Sequence, residues 1–322
     1  MSTLSKLYQK YGNKIITSSD DISELLIPNR RKREISRVIM IGGSEKYCGA
    51  LIMSGLAGLR NGMHGVVLIA PENVCNVANT IMPSGFMTFK IDKSTSNVPE
   101  GIKSLFAKWK TRALIGPGME KNENTIILVK SSLDVLIKNK IPILIDANAL
   151  DIIIEEKLLK SLKNKDIVLT PNEKELNNIS ESLGLKVPQD FIEKIEFVKK
   201  LSKDLGMVIC AKGRRDIITD GKRVKITYAG DPIMSTANCG DILSGLIVSF
   251  MAETDDLFEA CVAGTFLAGR AGNLSFPRKG YSFVAYDLLE DISEFIRMAS
   301  AQTLIDEIRL SKESFKQADL EL

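Results

Sequence analysis

Short apolar runs rich in β-branched residues recur along this chain, separated by longer amphipathic or buried segments. The runs are Arg37–Gly42, Gly65–Ala70, Met87–Ile91, Thr111–Gly116, Pro142–Asp146, Asp166–Thr170 and Met207–Lys212. Between them lie segments of helical pattern, among them Gly49–Arg60, Asn124–Asn139 and Pro188–Leu205. A strand covered on both faces reads as a nearly continuous apolar run, and strands joined by crossover helices run parallel. The repeated βαβα order therefore predicts an α/β fold with a doubly wound, mostly parallel sheet and helices on both faces. Ile217–Asp220 and Arg223–Tyr228, separated by Gly221-Lys222, add a short hairpin.

No Pro-, Gly- or Ser-rich linker divides this core, and no internal repeat is present. The organisation expected is an N-terminal extension over residues 1–33, a main domain over 34–298 and a charged helical tail over 299–322. The extension carries a helix from Ser18-Ser19-Asp20-Asp21 to Pro28. In the tail, Leu304, Ile305, Ile308 and Phe315 are placed to cover a core edge or a subunit contact, and a homo-oligomer is expected.

Composition removes several chemistries. A net charge of +3 gives no drive toward nucleic acid or membrane surfaces. The lysine-rich run from Lys157 alternates with apolar residues and reads as a solvated helix face. Five scattered cysteines without a C-x-x-C spacing argue against a disulfide framework and a structural zinc site. The single histidine, His64, sits in a glycine turn, which disfavours zinc hydrolase and Ser–His nucleophile chemistry. With no signal-peptide core and no apolar run of about 18 residues, a cytoplasmic location is expected.

In open parallel sheets ligands bind beyond the carboxyl ends of the strands. Small and polar residues gather at those positions here. The first strand ends in Gly42-Gly43-Ser44-Glu45-Lys46-Tyr47-Cys48-Gly49-Ala50, which carries neither G-x-G-x-x-G nor a Walker loop. It reads either as a tight turn or as a backbone contact for a ligand. Gly116-Pro117-Gly118 permits close approach. In Asp146-Ala147-Asn148-Ala149-Leu150 the carboxylate suits a metal, a hydroxyl or a helix cap. In Thr170-Pro171-Asn172-Glu173-Lys174-Glu175, Asn172 and Glu175 share a face, fitting either a hydrated Mg²⁺ or a capping box. Lys212-Gly213-Arg214-Arg215-Asp216 forms a basic glycine turn that suits a polyphosphate or adenine-nucleotide edge.

The last motif, Met234 to Phe250, passes from a small-residue turn through Gly240-Asp241 into a buried helix. Thr236 or Asn238 is available to cap that helix, and residues 237–240 leave backbone N–H groups open to an anion. Asp241 lies in the first turn, where the helix dipole stabilises a carboxylate by ~0.3–1 kcal/mol and is expected to hold it ionised. An anion hole beside a carboxylate is what phosphoryl transfer to a hydroxyl requires.

The order G-G-S-x-x-Y-x-G-A, G-P-G, D-A-x-A-L, T-P-x-x-x-E, K-G and a final G-D opening a helix resembles the NAD(P)H-hydrate dehydratases of the ribokinase-like superfamily. The similarity runs from about Glu24 to Glu294, including Leu25–Arg30 and Val284–Leu288. It implies a ribokinase-like fold and an ADP- or ATP-dependent reaction with Mg²⁺, in which the hydroxyl of hydrated NADH or NADPH is phosphorylated and phosphate then leaves. The resemblance places Ala50, Gly118 and Asp241 on the substrate side, with Asp241 as base, and Lys212 to Asp216 with Gly240 on the nucleotide side. Asn172 stands where the family has histidine and Lys174 where it has glycine. Ala237, Asn238 and Cys239 stand where the family reads G-G-T, Asn148 replaces an aspartate, and Ala268 replaces a late histidine. Asn238 is the residue that best tolerates a left-handed turn without glycine. Asn172 is also expected on the substrate side. T-P-N-x-x-E matches other ribokinase-like kinases, so a vitamin or sugar-alcohol kinase is the first alternative. A catalytically weak nucleotide-binding protein is the second.

Overall fold

The computed structural model describes residues 15–16, 36–91, 110–227, 230 and 232–300. The strands are β1 (Ile15–Ile16), β2 (Ser36–Ile41), β3 (Val66–Ala70), β4 (Phe86–Lys90), β5 (Lys110–Ile115), β6 (Ile143–Ile145), β7 (Ile167–Leu169), β8 (Val208–Ala211), β9 (Ile217–Thr219) and β10 (Val224–Thr227). The helices are α1 (Cys48–Arg60), α2 (Glu72–Ile81), α3 (Glu123–Lys138), α4 (Asn148–Glu155), α5 (Leu159–Leu162), α6 (Glu173–Ser182), α7 (Phe191–Leu205), α8 (Cys239–Glu253), α9 (Leu257–Lys279) and α10 (287–300).

All strands join one sheet in the order β1-β10-β9-β8-β7-β6-β5-β2-β3-β4. Every pairing from β8 across to β4 is parallel, as the apolar runs require. β9 is antiparallel to both β8 and β10, which is the expected hairpin, and β1 lies parallel to β10. Pairing stops at Thr219 and Val224. The hairpin turn is therefore wider than Gly221-Lys222, because Asp220 Oδ1 accepts from the Lys222 and Arg223 amides at 2.9 and 2.6 Å.

Side chains alternate across the sheet with the period of two that a strand imposes. Val38, Met40, Leu68, Leu114, Leu144 and Val168 enter one core, packed by α1, α2, α8 and α9. Ile39, Ile41, Val67, Ile115, Ile145 and Leu169 enter the other, packed by α3, α4, α6 and α7. Local signals set several helix ends. Asn122 caps α3, Asp190 caps α7 and Asp256 caps α9, and Gly206 in the left-handed region stops α7. In α5, Leu159 and Leu162 are buried while the flanking lysines are exposed, so the lysine-rich run is a solvated face.

The sequence pattern did not anticipate β1 or the separate helix α2. The extension helix near Ser18–Pro28 and the tail from Leu304 lie outside the described residues. Among the described residues no helix is long and apolar enough to cross a membrane.

The chain lays down β2, β3 and β4 in one direction, then returns to place β5 on the other side of β2. The loops after β2 and β5 lie side by side at that reversal, which is where an open α/β sheet offers its ligand site.

Candidate functional site

Two glycine-bearing loops meet at the reversal. Gly43 N donates to the Pro117 carbonyl at 2.8 Å, and the Ser44 hydroxyl accepts from Tyr47 N at 3.0 Å, which shapes the turn into α1. Gly118 has φ +71, and a Cβ placed there would stand 2.5 Å from the Tyr47 carbonyl oxygen and 3.2 Å from Ala50 Cβ. Only glycine fits such a position. Ala50 and Gly118, expected on the substrate side, are thus neighbours in a cleft wall made of backbone and one methyl group.

A cluster of charged side chains occupies the adjoining strand ends. Asp146 follows β6 and is 1% exposed, and its Oδ1 accepts from Lys212 Nζ at 2.6 Å. Its Oδ2 accepts from the Ser244 hydroxyl, which also stands 2.9 Å from the Gly240 carbonyl. Lys212 follows β8, and its ammonium lies where a Cβ on Gly240 would be 3.7 Å away. Burial opposes the charge on Lys212, but the Asp146 and Glu175 carboxylates outweigh it and hold the group above the ordinary lysine value. Salt bridge, serine hydroxyl and helix start form one unit.

Asp241 sits in the first turn of α8. The Ser54 hydroxyl, on α1, donates to its carbonyl at 2.8 Å and also reaches the Ala50 carbonyl at 3.2 Å, linking Asp241 to the backbone of Ala50. Of the two expected caps, Asn238 does not serve as one. Asn238, the residue before α8, adopts φ +73 and makes no side-chain cap; its amide instead donates to Asp241 Oδ2 at 3.3 Å. One amide of the expected anion hole is already engaged, since Cys239 N donates to the Thr236 carbonyl at 3.3 Å. The expectation of a dipole-held, ionised Asp241 is corrected as well. Burial, with repulsion from Asp146, pushes its carboxyl up to about 7 against the helpful Lys212 charge. Desolvation of a carboxylate exceeds what a helix terminus returns.

On α6 both halves of a capping box are made. Asn172 Oδ1 accepts from Glu175 N at 3.0 Å, and Glu175 Oε2 accepts from Asn172 N at 2.7 Å. The helix-cap role is therefore realised, and burial raises the Glu175 carboxyl although Lys212 lowers it. Among the described residues no group of three or more His, Cys, Asp or Glu is placed to hold a metal.

The turn after β8 divides. Lys212 points into the cluster, whereas Asp216 Oδ1 accepts from Gly213 N at 2.9 Å and closes the loop on itself. Burial pushes the Asp216 carboxyl up to about 6. Arg215 lies over the Phe191 ring, 5.1 Å from its centroid, at the start of α7, and Arg214 and Gly213 are exposed. His64 is exposed at the amino ends of β2 to β4 beside Arg37 and Met87, away from the cluster, as a turn histidine. Sequence reasoning missed Ser54 and Ser244, which lie in stretches that read as buried core. The available signal was a serine on an otherwise apolar face one turn from Gly240 or Ala50.

A family profile described as NAD(P)H-hydrate dehydratase matches residues 38–294. The bifunctional NAD(P)H-hydrate repair enzyme Nnr of Pyrobaculum aerophilum is 32% identical over 278 residues, 85% of this chain and 53% of that protein. The chain spans about half the length of such bifunctional relatives, with 49% covered in that of Hyperthermus butylicus. The ADP-dependent (S)-NAD(P)H-hydrate dehydratase of Nitrosopumilus maritimus is 31% identical over 84% of this chain and 93% of its own length. The crystal structure of the ADP/ATP-dependent NAD(P)H-hydrate dehydratase of Bacillus subtilis, crystallised with ATP and Mg²⁺, superposes with a TM-score of 0.71 at 18% identity, covering 89% and 99% of the two chains. A ribokinase-like protein of Enterococcus faecalis gives 0.72 at 18% identity over 89% and 96%. At such identities the likeness concerns the fold, which is ribokinase-like.

Proposed function

The chain belongs to the NAD(P)H-hydrate dehydratase family, and from that premise we propose that it restores NADH or NADPH from the hydrated cofactor, using ADP or ATP as phosphoryl donor. The observation that carries this reading is Asp241. It is a half-buried carboxyl at the first turn of α8, pushed up to about 7 and within reach of the Lys212 charge, and Ser54 ties its backbone to that of Ala50, the neighbour of Gly118. A base with that proton affinity is suited to take a hydroxyl proton near neutral pH.

Asp241 would accept the proton of the ring hydroxyl as its oxygen bonds the terminal phosphorus of the nucleotide and the bridging P–O bond breaks. Lys212 and the first-turn amides of α8 would stabilise charge on the moving phosphoryl group. The ring C–O bond then breaks, phosphate departs, and a proton leaves the neighbouring carbon to re-form the double bond.

Glu175, whose carboxyl at the start of α6 feels the charges of Lys212 and Asp146, would be the residue to hold a Mg²⁺ brought in with the nucleotide. Such an ion supplies charge neutralisation between phosphates. We assign Gly213, Arg214 and Arg215 to the rim of the nucleotide site, supported by their place at the β8 end. The capping box accounts for the Asn172–Glu175 spacing that favoured a vitamin or sugar-alcohol kinase.

Incubation with hydrated NADH, Mg²⁺ and either ADP or ATP tests the reading. Recovery of reduced-nicotinamide absorbance with stoichiometric release of inorganic phosphate is expected. Folded protein that yields neither with either nucleotide would overturn it.

A further inference from the structure

Asp146 has two partners that belong to different elements. Its Oδ1 holds Lys212 Nζ at 2.6 Å from the end of β8, and its Oδ2 holds the Ser244 hydroxyl one turn into α8. Ser244 in turn stands 2.9 Å from the Gly240 carbonyl, so a single carboxyl ties the lysine to the helix start. The backbone around Asp146 admits little freedom. A Cβ at Gly116 would fall 1.8 Å from the Asp146 carbonyl oxygen, and Ala147, next in the chain, has φ +51, a conformation alanine rarely adopts. A largely enclosed lysine such as Lys212 would, without such a partner, lose its charge or swing to solvent.

We infer that Asp146, with Ser244, is a positioning residue for nucleotide binding: it fixes the Lys212 ammonium against Gly240 so that a preset cation meets the nucleotide phosphates. This rests on the dehydratase reading above. It adds that the phosphate site is assembled by a carboxyl that itself touches no ligand. The groups that face Lys212 are consistent with it. Asp146 and Glu175 supply opposite charge, and Asp241 lies close enough to feel both Asp146 and Lys212. Removing Asp146 leaves the lysine present but without the partner that aims it.

Calorimetric titration of the full chain with ATP and with ADP, alongside steady-state kinetics, tests the inference. Asp146→Asn should weaken nucleotide binding by about tenfold or more, and the nucleotide KM should rise by more than kcat falls. In a Lys212→Met background the same change should cost much less than in the parent, because the carboxyl acts through the lysine. Equal losses in both backgrounds, or an unchanged nucleotide affinity, would overturn it. If Asp146→Asn does not fold, Ser244→Ala carries the test. It should weaken ATP affinity roughly threefold in the parent and not in Lys212→Met, and an unchanged affinity in the parent refutes the inference. Failure of the parent protein to bind either nucleotide would instead overturn the dehydratase reading, and this inference with it.

Discussion

At Asp241 the proposed role as base and the cost of burying a carboxyl make separate predictions for activity and stability. Its carboxyl is pushed up to about 7 by burial and by Asp146, so kcat/KM should rise with pH and level off above that value. Asp241→Asn should fold and lose ~10²–10⁴ in turnover, the range for removing a positioned general base. Near-normal kcat in a folded variant would remove Asp241 from the mechanism. The same change has an opposite effect on stability. Between the ordinary aspartate value and about 7, the folded chain keeps a proton that the unfolded chain has released. Stability therefore falls as pH rises through that window, by at most about 1.4 kcal/mol for each unit of raised pKa. Asp241→Asn should accordingly melt above the parent at about pH 8, with the advantage gone at about pH 4. A constant difference in Tm across that range would contradict the burial argument. Glu175→Gln separates two roles in the same way. Glutamine can still accept from the Asn172 amide, so the capping box and Tm should hold, while the Mg²⁺ concentration needed for activity rises. An unchanged Mg²⁺ requirement would leave Glu175 as a cap alone.

Among the elements, α1 and α8 decide where Asp241 sits. They pack so closely that a Cβ on Gly245 would stand 2.1 Å from the Ser54 carbonyl oxygen, a backbone atom that cannot step aside. Gly245→Ala should therefore push the helices apart and cost ~1–3 kcal/mol. Turnover should drop as well, because Ser54 also holds the Asp241 carbonyl. Gly49, at the start of α1, faces open space, with nothing within 4 Å of where a Cβ would lie, so Gly49→Ala should match or exceed the parent in Tm. Thermal unfolding of the two variants side by side checks the contrast, and equal melting points would refute the packing account. Across the sheet, Gly118 serves the same end by allowing the β5 loop to touch the β2 loop, bringing Ala50 into the cleft wall.

For the whole molecule, the site draws on the ends of β2, β5, β6, β7 and β8 and the start of α8, so a ligand there binds the folded chain and has no counterpart in the unfolded one. Saturation with ATP and Mg²⁺ at a hundred times Kd should add about 2.7 kcal/mol to unfolding, read as a rise in Tm that scales with nucleotide concentration. A Tm indifferent to nucleotide would argue against a shared cleft. The architecture was legible because burial on both faces of a parallel strand leaves a direct trace, the short β-branched run. The seven runs and the hairpin all became strands, each described end within one residue of the expected one. The glycines of Gly42-Gly43 and Gly116-Pro117-Gly118 likewise marked where two loops touch, since close backbone approach excludes side chains. What the sequence could not determine was partnership. Asp146 could have been a metal ligand, a hydroxyl contact or a cap, and only the stacking of β6, β8 and α8 put Lys212 and Ser244 on its two oxygens. Asn172 and Glu175 satisfied cap and metal spacing equally, and the local geometry of α6 made the cap. The proton affinity of Asp241 was misjudged for the same reason. A helix dipole is local and can be read along the chain, whereas desolvation and the Asp146 charge come from residues far away in sequence, brought close only when the sheet closes over its helices.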